Sequence, residues 1–394
     1  MSDFLILYRA EIRKILMKKS FWAALAIGIA FVLVVGLTNL SAEGHLAYVK
    51  EQSEVLGGLS GRPIDEAFLK GFQDEVAEEL AAHSDWYADM MAYDPGAAFQ
   101  NGAHALGKNE LGQFLYNVVR DRERLSTVTA EEFYAMMRNN IIHDGREMGN
   151  SEEEIAAWLQ VYDGTQQPMV YRYCQGYVNI LDVLFLIGWV LFLNIAVALA
   201  GVFADEKAYR TDAMILSTRK GRSTVCLAKI GAGITVALMQ CLVILGSCFG
   251  IMLGFFGTGG WSGAIQNVIP SSPWNITIGE MVLIYWGLAI ITSILFALTN
   301  MAASHFTKSA IVSMAIHAAV LFVGLFNIPK GMGLISKLWE LRPTMSLYYG
   351  TFCNTYLYGK MNNVQMSILI DGCLIALIFA ALALSYRHSQ VESR

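Results

Sequence analysis

The chain has 394 residues, 55% of them hydrophobic and only 15% charged, with a formal net charge of -5. These proportions exclude a simply soluble protein, because several stretches run for about 20 residues with few or no charges, the length a helix needs to cross a bilayer core. Six scattered cysteines in no ligand spacing exclude a disulfide-rich module and a zinc site.

Residues 1–20 carry Arg9, Arg13, Lys14, Lys18 and Lys19 on the run FLILYRAEIRKILMKK, which predicts an amphipathic cytoplasmic helix lying along the inner membrane surface. A first span follows at 21–40. The LTNLSAEG after it offers no A-x-A cleavage site, so this span reads as an uncleaved anchor.

Residues 41–178 are too long for a bare loop and are predicted to form an acidic, helical extracytoplasmic domain. Between Glu43 and Asp163 lie 23 of the 33 acidic residues, against ten basic residues up to Arg172. That sign of charge excludes nucleic acid as a partner; it suits a solvated surface, or attraction of cations and basic peptides. Pro63 suits a first helical turn, and Ile64, Phe68, Phe72, Val76 and Leu80 make an apolar stripe, repeated by Leu111, Phe114, Leu115 and Val118. Thr129 with Glu132, and Ser151 with Glu154, each match a capping box. The pattern predicts about four helices packed by apolar burial. Its aromatics, Trp86, Tyr87, Tyr93, Phe99, Tyr116 and Tyr134, read as core.

Nucleotide motifs fail. The stretch from Gly102 to Asn109 has two glycines five apart and Lys108, but Asn109 replaces the magnesium-binding hydroxyl and no strand precedes it. GAGITV at Gly231 lacks a third glycine. No H-E-x-x-H helix or G-x-S-x-G elbow is present.

Five more spans are predicted at 180–203, 230–256, 278–299, 310–326 and 368–385. The fold class is therefore an all-α polytopic membrane protein with six transmembrane helices, because barrel strands would alternate apolar and polar residues. The loop at 204–229 holds Lys207, Arg210, Arg219, Lys220, Arg222 and Lys229, which places it in the cytoplasm with both termini. Residues 327–367 land outside yet carry Lys330, Lys337, Arg342 and Lys360 against Glu340 alone. Cys174 and Cys353 approach that outer face, where an oxidising compartment permits a bridge.

Asp182, Glu280 and Asp371 fall near span starts, where a carboxylate meets water and the helix dipole. Asn194, Gln240 and His317 sit deeper and either line a pathway or bond across helices. Gly246, Gly250 and Gly254 recur every four residues and form a packing seam, used inside the chain or in a dimer.

In the 204–229 loop Thr211 is predicted to cap a short helix running to about Thr218, with Asp212 in its first turn. Gly221 gives a stop and Ser223 caps the next helix. Ala213, Met214, Ile215 and Leu216 are apolar residues that a cytoplasmic loop does not need for solubility, so a second protein is expected to cover them.

The succession Glu206, Thr211, Ile215-Leu216-Ser217, Arg222 and Lys229 resembles the permeases of the type-2 ABC exporter family. Glu11, Lys14 and Ile15 ahead of Lys19-Ser20-Phe21-Trp22 are similar to that family's amphipathic lead helix, and Pro343 in LWELRPTMSLYYG to its partly re-entrant hairpin. Where the family often has Gly-Thr before the short helix, this chain has Arg210-Thr211.

The resemblance implies a coupling helix at about 211–218, seated in a groove of a separate ABC ATPase. Glu206 and Arg222 would make charged contacts to it, and Ile215 and Leu216 would fill its groove. It also implies a second permease subunit, like or unlike, and ATP with magnesium in the partner, with no cofactor and no catalysis in this chain. The implied function is a multi-pass cell-membrane exporter of an amphiphilic substrate, a peptide, antibiotic or lipid. The alternative is a complex whose outer domain detects a peptide without transporting it.

Overall fold

A computed structural model describes residues 3–42, 46–218, 221, 223–326, 328–329, 332–353 and 355–388, except for the Asp212 side chain. It is 77% helical, as an all-α chain requires. Helix α1 (Asp3–Leu16) leads into α2 (Lys19–Ala42). Seven helices then form an insert: α3 (Leu46–Leu59), α4 (Glu66–Ala82), α5 (Ser84–Tyr93), α6 (Pro95–Ala105), α7 (Asn109–Val119), α8 (Ala130–Glu147) and α9 (Glu152–Tyr162). Helix α10 (Gln175–Leu199) is followed by the short α11 (Ala204–Ala208) and α12 (Asp212–Ser217). Helices α13 (Thr224–Phe256), α14 (Ile278–Thr307), α15 (Ala310–Gly324), α16 (Leu334–Glu340) and α17 (Asn363–Arg387) complete the chain. A two-stranded hairpin, β1 (Leu357–Tyr358) with β2 (Met361–Asn362), precedes the last helix.

Among the described residues, five helices are long and apolar enough to cross a membrane: α2, α10, α13, α14 and α17. Helix α15 has 15 residues, about 22 Å at 1.5 Å per residue, which is short for a 30 Å core. Polar residues cap two of these helices: Thr277 and Glu280 box the start of α14 at the predicted 278, and Asn362 with Gln365 start α17 ahead of the predicted 368. Glu280 thus serves a helix end. Asp182 and Asp371 stand about two turns inside α10 and α17, so the dipole reading does not hold for them.

The bundle is drawn together where α2 lacks side chains. A Cβ on Gly28 would stand 2.9 Å from Asn194 Nδ2, and one on Gly36 2.6 Å from Ile251 Cγ2, so α2 lies hard against α10 and α13. Phe21, Leu25 and Val32 continue the same buried face.

The insert has its own apolar core, built from the stripe Phe68, Phe72, Val76 and Leu80 with Leu111, Phe114, Leu115, Val118 and Phe133. Both capping boxes form: Thr129 with Glu132 at α8, and Ser151 with Glu154 at α9. Pro63 does not begin a helix; it bridges Val170, while Asp65 caps α4 by accepting from Phe68 N at 2.9 Å. Phe99 is buried, but Trp86 and Tyr93 are 78% and 94% exposed. Their helix, α5, has no fully buried residue among those described; Tyr87 and Met90 rest partly on the core, while Trp86 and Tyr93 lie on the side left uncovered. Lys108 is tied to Glu75, and burial followed by the neighbouring Arg62 charge lowers its pKa. It is a structural lysine.

The insert docks on the segment between α15 and α17. Trp158 Nε1 donates to Thr355 O at 2.9 Å, Tyr356 OH to Met148 O at 2.9 Å, and Lys337 pairs with Glu154. Two of the basic residues that sat poorly in the outer loop are thereby occupied, since Arg342 Nη1 donates to Trp339 O at 2.6 Å. Lys330 lies outside the described residues. Leu347 packs on Gly188, about 20 Å along α10, so this irregular stretch reaches well into the bundle. Its carbonyls are met by side chains, as backbone at that depth requires: Tyr285 OH donates to Tyr348 O at 3.0 Å, Ser272 Oγ to Phe352 O at 2.9 Å and Asn363 Nδ2 to Thr351 O at 2.8 Å. No disulfide joins Cys174 to Cys353.

Candidate functional site

The 203–223 loop is anchored by a buried ionic cluster. Lys229, 1% exposed in the first turns of α13, places Nζ 3.0 Å from Glu11 Oε2 of α1 and 2.7 Å from Glu206 Oε1 of α11. It also donates to Val202 O at 3.2 Å and lies 5.7 Å from the centre of the Phe203 ring. Lys14 closes the cluster at 2.6 Å from Glu11 Oε1, and Lys18 pairs with Asp205 at 2.6 Å. Two carboxylates and two ammonium groups balance, which is the condition for burying ions at all. Helix α1 therefore packs on α13, with Ile15 in the core and Tyr8 OH 2.6 Å from Thr235 Oγ1.

Loop geometry departs from the local caps expected. Thr211 has φ -95° and ψ -12°, helical values that aim its hydroxyl away from the cap position. It donates instead to Glu206 O at 3.3 Å and, through its own N–H, at 2.9 Å. Arg210 takes φ 57°, the left-handed conformation a glycine adopts without steric cost. Helix α12 ends in extended backbone at Thr218. Gly221 does not turn left-handed; any Cβ there would collide with the Ile215 carbonyl, so its role is close approach. Ser223 makes no side-chain cap.

The apolar residues of α12 divide. Leu216 is 7% exposed and belongs to the bundle core, and Ile215 is half-buried, so Leu216 is not offered to a groove. Met214 at 67% and Tyr209 at 78% are the large apolar side chains that face outward. Glu206 also turns inward, to Lys229, which removes it from a partner's surface. Ser217 donates to Met214 O at 2.8 Å. Arg222 lies outside the described residues.

Of the deeper polar residues, Gln240 and His317 bond across helices, while the Asn194 side chain bonds within its own. Gln240 Nε2 donates to Asn194 O at 3.4 Å, and Asn194 Nδ2 to Val190 O at 2.9 Å. His317 sits apart from them, its ring nitrogens 2.9 Å from Ser313 O and 3.1 Å from Thr299 Oγ1. Ser313 in turn reaches Asn300, whose Nδ2 donates to Ala196 O at 3.1 Å, joining α10, α14 and α15. Around Gly246, Gly250 and Gly254 an added Cβ meets no atom within 4 Å, so the close approaches inside the chain occur elsewhere.

Sequence reasoning listed Glu11 by resemblance and Lys229 as a basic loop residue and by resemblance, and did not join them. The available signal was a lysine between Ala228 and Ile230, since a cation at the mouth of an apolar helix needs a buried acid. No curated protein and no solved structure matches the chain. Residues 5–348 match the model of a family described as ABC-2 family transporter protein, which covers both the ionic anchor and the loop it holds, and the chain belongs to that family of membrane permeases.

Proposed function

We propose that the chain is the permease subunit of an ATP-driven exporter of amphiphilic substrates, worked by a separate ATPase that binds the 203–223 loop. The observation that carries this is the pairing of two outward apolar side chains, Tyr209 and Met214, with a loop whose base is fixed to two long helices through Lys229. A surface that is apolar where it faces out and rigid where it joins the bundle suits transmission of a push. Six crossings, with the short α15 and the buried segment after it as the fifth, put the insert outside and both termini in the cytoplasm, in keeping with the basic residues flanking α2 and the loop. ATP and magnesium belong to the partner, and a second permease subunit completes the pathway.

Co-purification tests the coupling surface: an ATPase held by the wild type is lost on Met214→Asp with Tyr209→Asp, and full retention overturns the assignment. Topology is tested by a membrane-impermeant thiol reagent on intact cells. Tyr93→Cys should label and Tyr209→Cys should not, and the reverse pattern inverts the orientation. ATP-dependent uptake into inverted vesicles separates transport from sensing without transport.

A further inference from the structure

A cleft of about 620 Å³ separates the insert from the first half of α10. Its two faces carry matched amide pairs. On α7, Gln113 Nε2 donates to Asn117 Oδ1 at 3.1 Å; on α10, Gln175 Nε2 donates to Asn179 Oδ1 at 3.1 Å. Asn179 is 2% exposed, and its Nδ2 has no hydrogen-bond partner among the described residues. A buried donor without an acceptor costs free energy that a bound carbonyl would recover. One turn on, Asp182 lines the same cleft and makes no hydrogen bond or ion pair among the described residues.

The cleft's cation is already occupied. Arg120 donates to Asp144 Oδ1 at 2.7 Å and to Oδ2 at 2.8 Å. Glu147 and Glu340 line the adjoining cavity past Tyr349 and Cys353, and on the other side Glu110 and Arg172 offset each other. The Tyr348 and Tyr349 rings stand 4.5 Å apart between the two cavities. Acid, aromatic faces and a carbonyl-seeking amide together fit a cation carried on an amide backbone. An acyl chain would leave those amides and the carboxylate facing hydrocarbon.

We propose that this cleft binds an extended, positively charged peptide segment, with Asp182 as counter-ion to a lysine or arginine, Asn179 Nδ2 donating to a backbone carbonyl, and Tyr349 against the cation. The proposal rests on the permease reading and narrows its amphiphilic cargo to a cationic peptide. The test uses the full chain in nanodiscs and a fluorescent decapeptide of alternating lysine and leucine, with serine-for-lysine and glutamate-for-lysine versions. The lysine peptide should bind, the other two weakly. Asp182→Asn and Asn179→Leu should each weaken it at least about fivefold, and Asp182→Glu, which keeps the charge and controls for folding, should retain it. Equal binding of the serine peptide, or an Asp182→Asn protein that binds as the wild type does, overturns the proposal. So does an equal loss on Glu78→Gln, an exposed residue of α4 that lines neither cavity, since that would mean general attraction to an acidic insert. ATPase co-elution is scored on the same samples. Retained ATPase without peptide binding sinks the cleft alone, and peptide binding through Asp182 with no ATPase recovered sinks the permease reading alone.

Discussion

The insert and the base of the bundle both use ion pairs, with opposite weight. On the insert, Arg138 meets Asp163 at 3.0 Å and Arg146 meets Glu152 at 2.9 Å, both in open solvent. At the base of α13, Lys229 meets its two acids over similar distances with almost no water reaching it. Distance is thus a poor guide to importance. In water the attraction is screened and offset by side-chain entropy, whereas in the interior the partners must replace most of each other's lost solvation.

The sharpest way to break this comparison is Lys229→Met, which strands Glu11 and Glu206 in the interior. Thermal unfolding in detergent should show a loss of about 3–5 kcal/mol, and the triple variant Glu11→Gln, Glu206→Gln, Lys229→Met should recover most of it. A single variant as stable as the wild type would remove the ionic anchor.

An intermediate case lies where the insert docks. Burial pushes the Glu154 carboxyl up, but Lys337 and the Ser151 and Leu357 amides outweigh it and hold the group below its usual 4.5. A depressed acid stabilises fully above its unfolded value and loses that contribution as pH falls through the folded one. Amide protection in α9, relative to the intrinsic rate at each pH, should therefore be high at pH 6 and fall below about pH 4.5. Glu154→Gln should cost about 1–3 kcal/mol at neutral pH, read by the same exchange, and should flatten that dependence. An unchanged pH profile would count against the latch.

Smaller again is the strain at Arg210. Arg210→Gly should raise stability by roughly 0.5–1 kcal/mol while Arg210→Val lowers it, a pair of melts that fails if both move the same way. At the far end of the scale, Arg146→Ala should leave the melting curve unchanged, as a solvent pair predicts.

What was legible in the sequence was what is local. The capping boxes at Thr129 and Ser151 could be read because donor and acceptor sit three residues apart, and the long apolar helices because length and composition suffice. Trp86 and Tyr93 were misread, since composition gives a side chain's preference but not whether a neighbouring helix exists to cover it. Leu216 and Glu206 were assigned outward for the same reason: a six-residue helix has no periodicity long enough to show which face it buries. Arg210 hid its conformation because a left-handed arginine has no signature in the residues around it.

The ionic anchor has a consequence for biosynthesis. Lys229 lies 218 residues after Glu11, so at ordinary elongation rates the acid leaves the ribosome roughly 10–40 s before its ammonium partner exists. During that interval α1 has only Lys14 to neutralise it and must wait at the lipid surface while the insert is translated. The joint that anchors the base of the machine therefore begins with its earliest-made helix and closes only after the whole insert has been made.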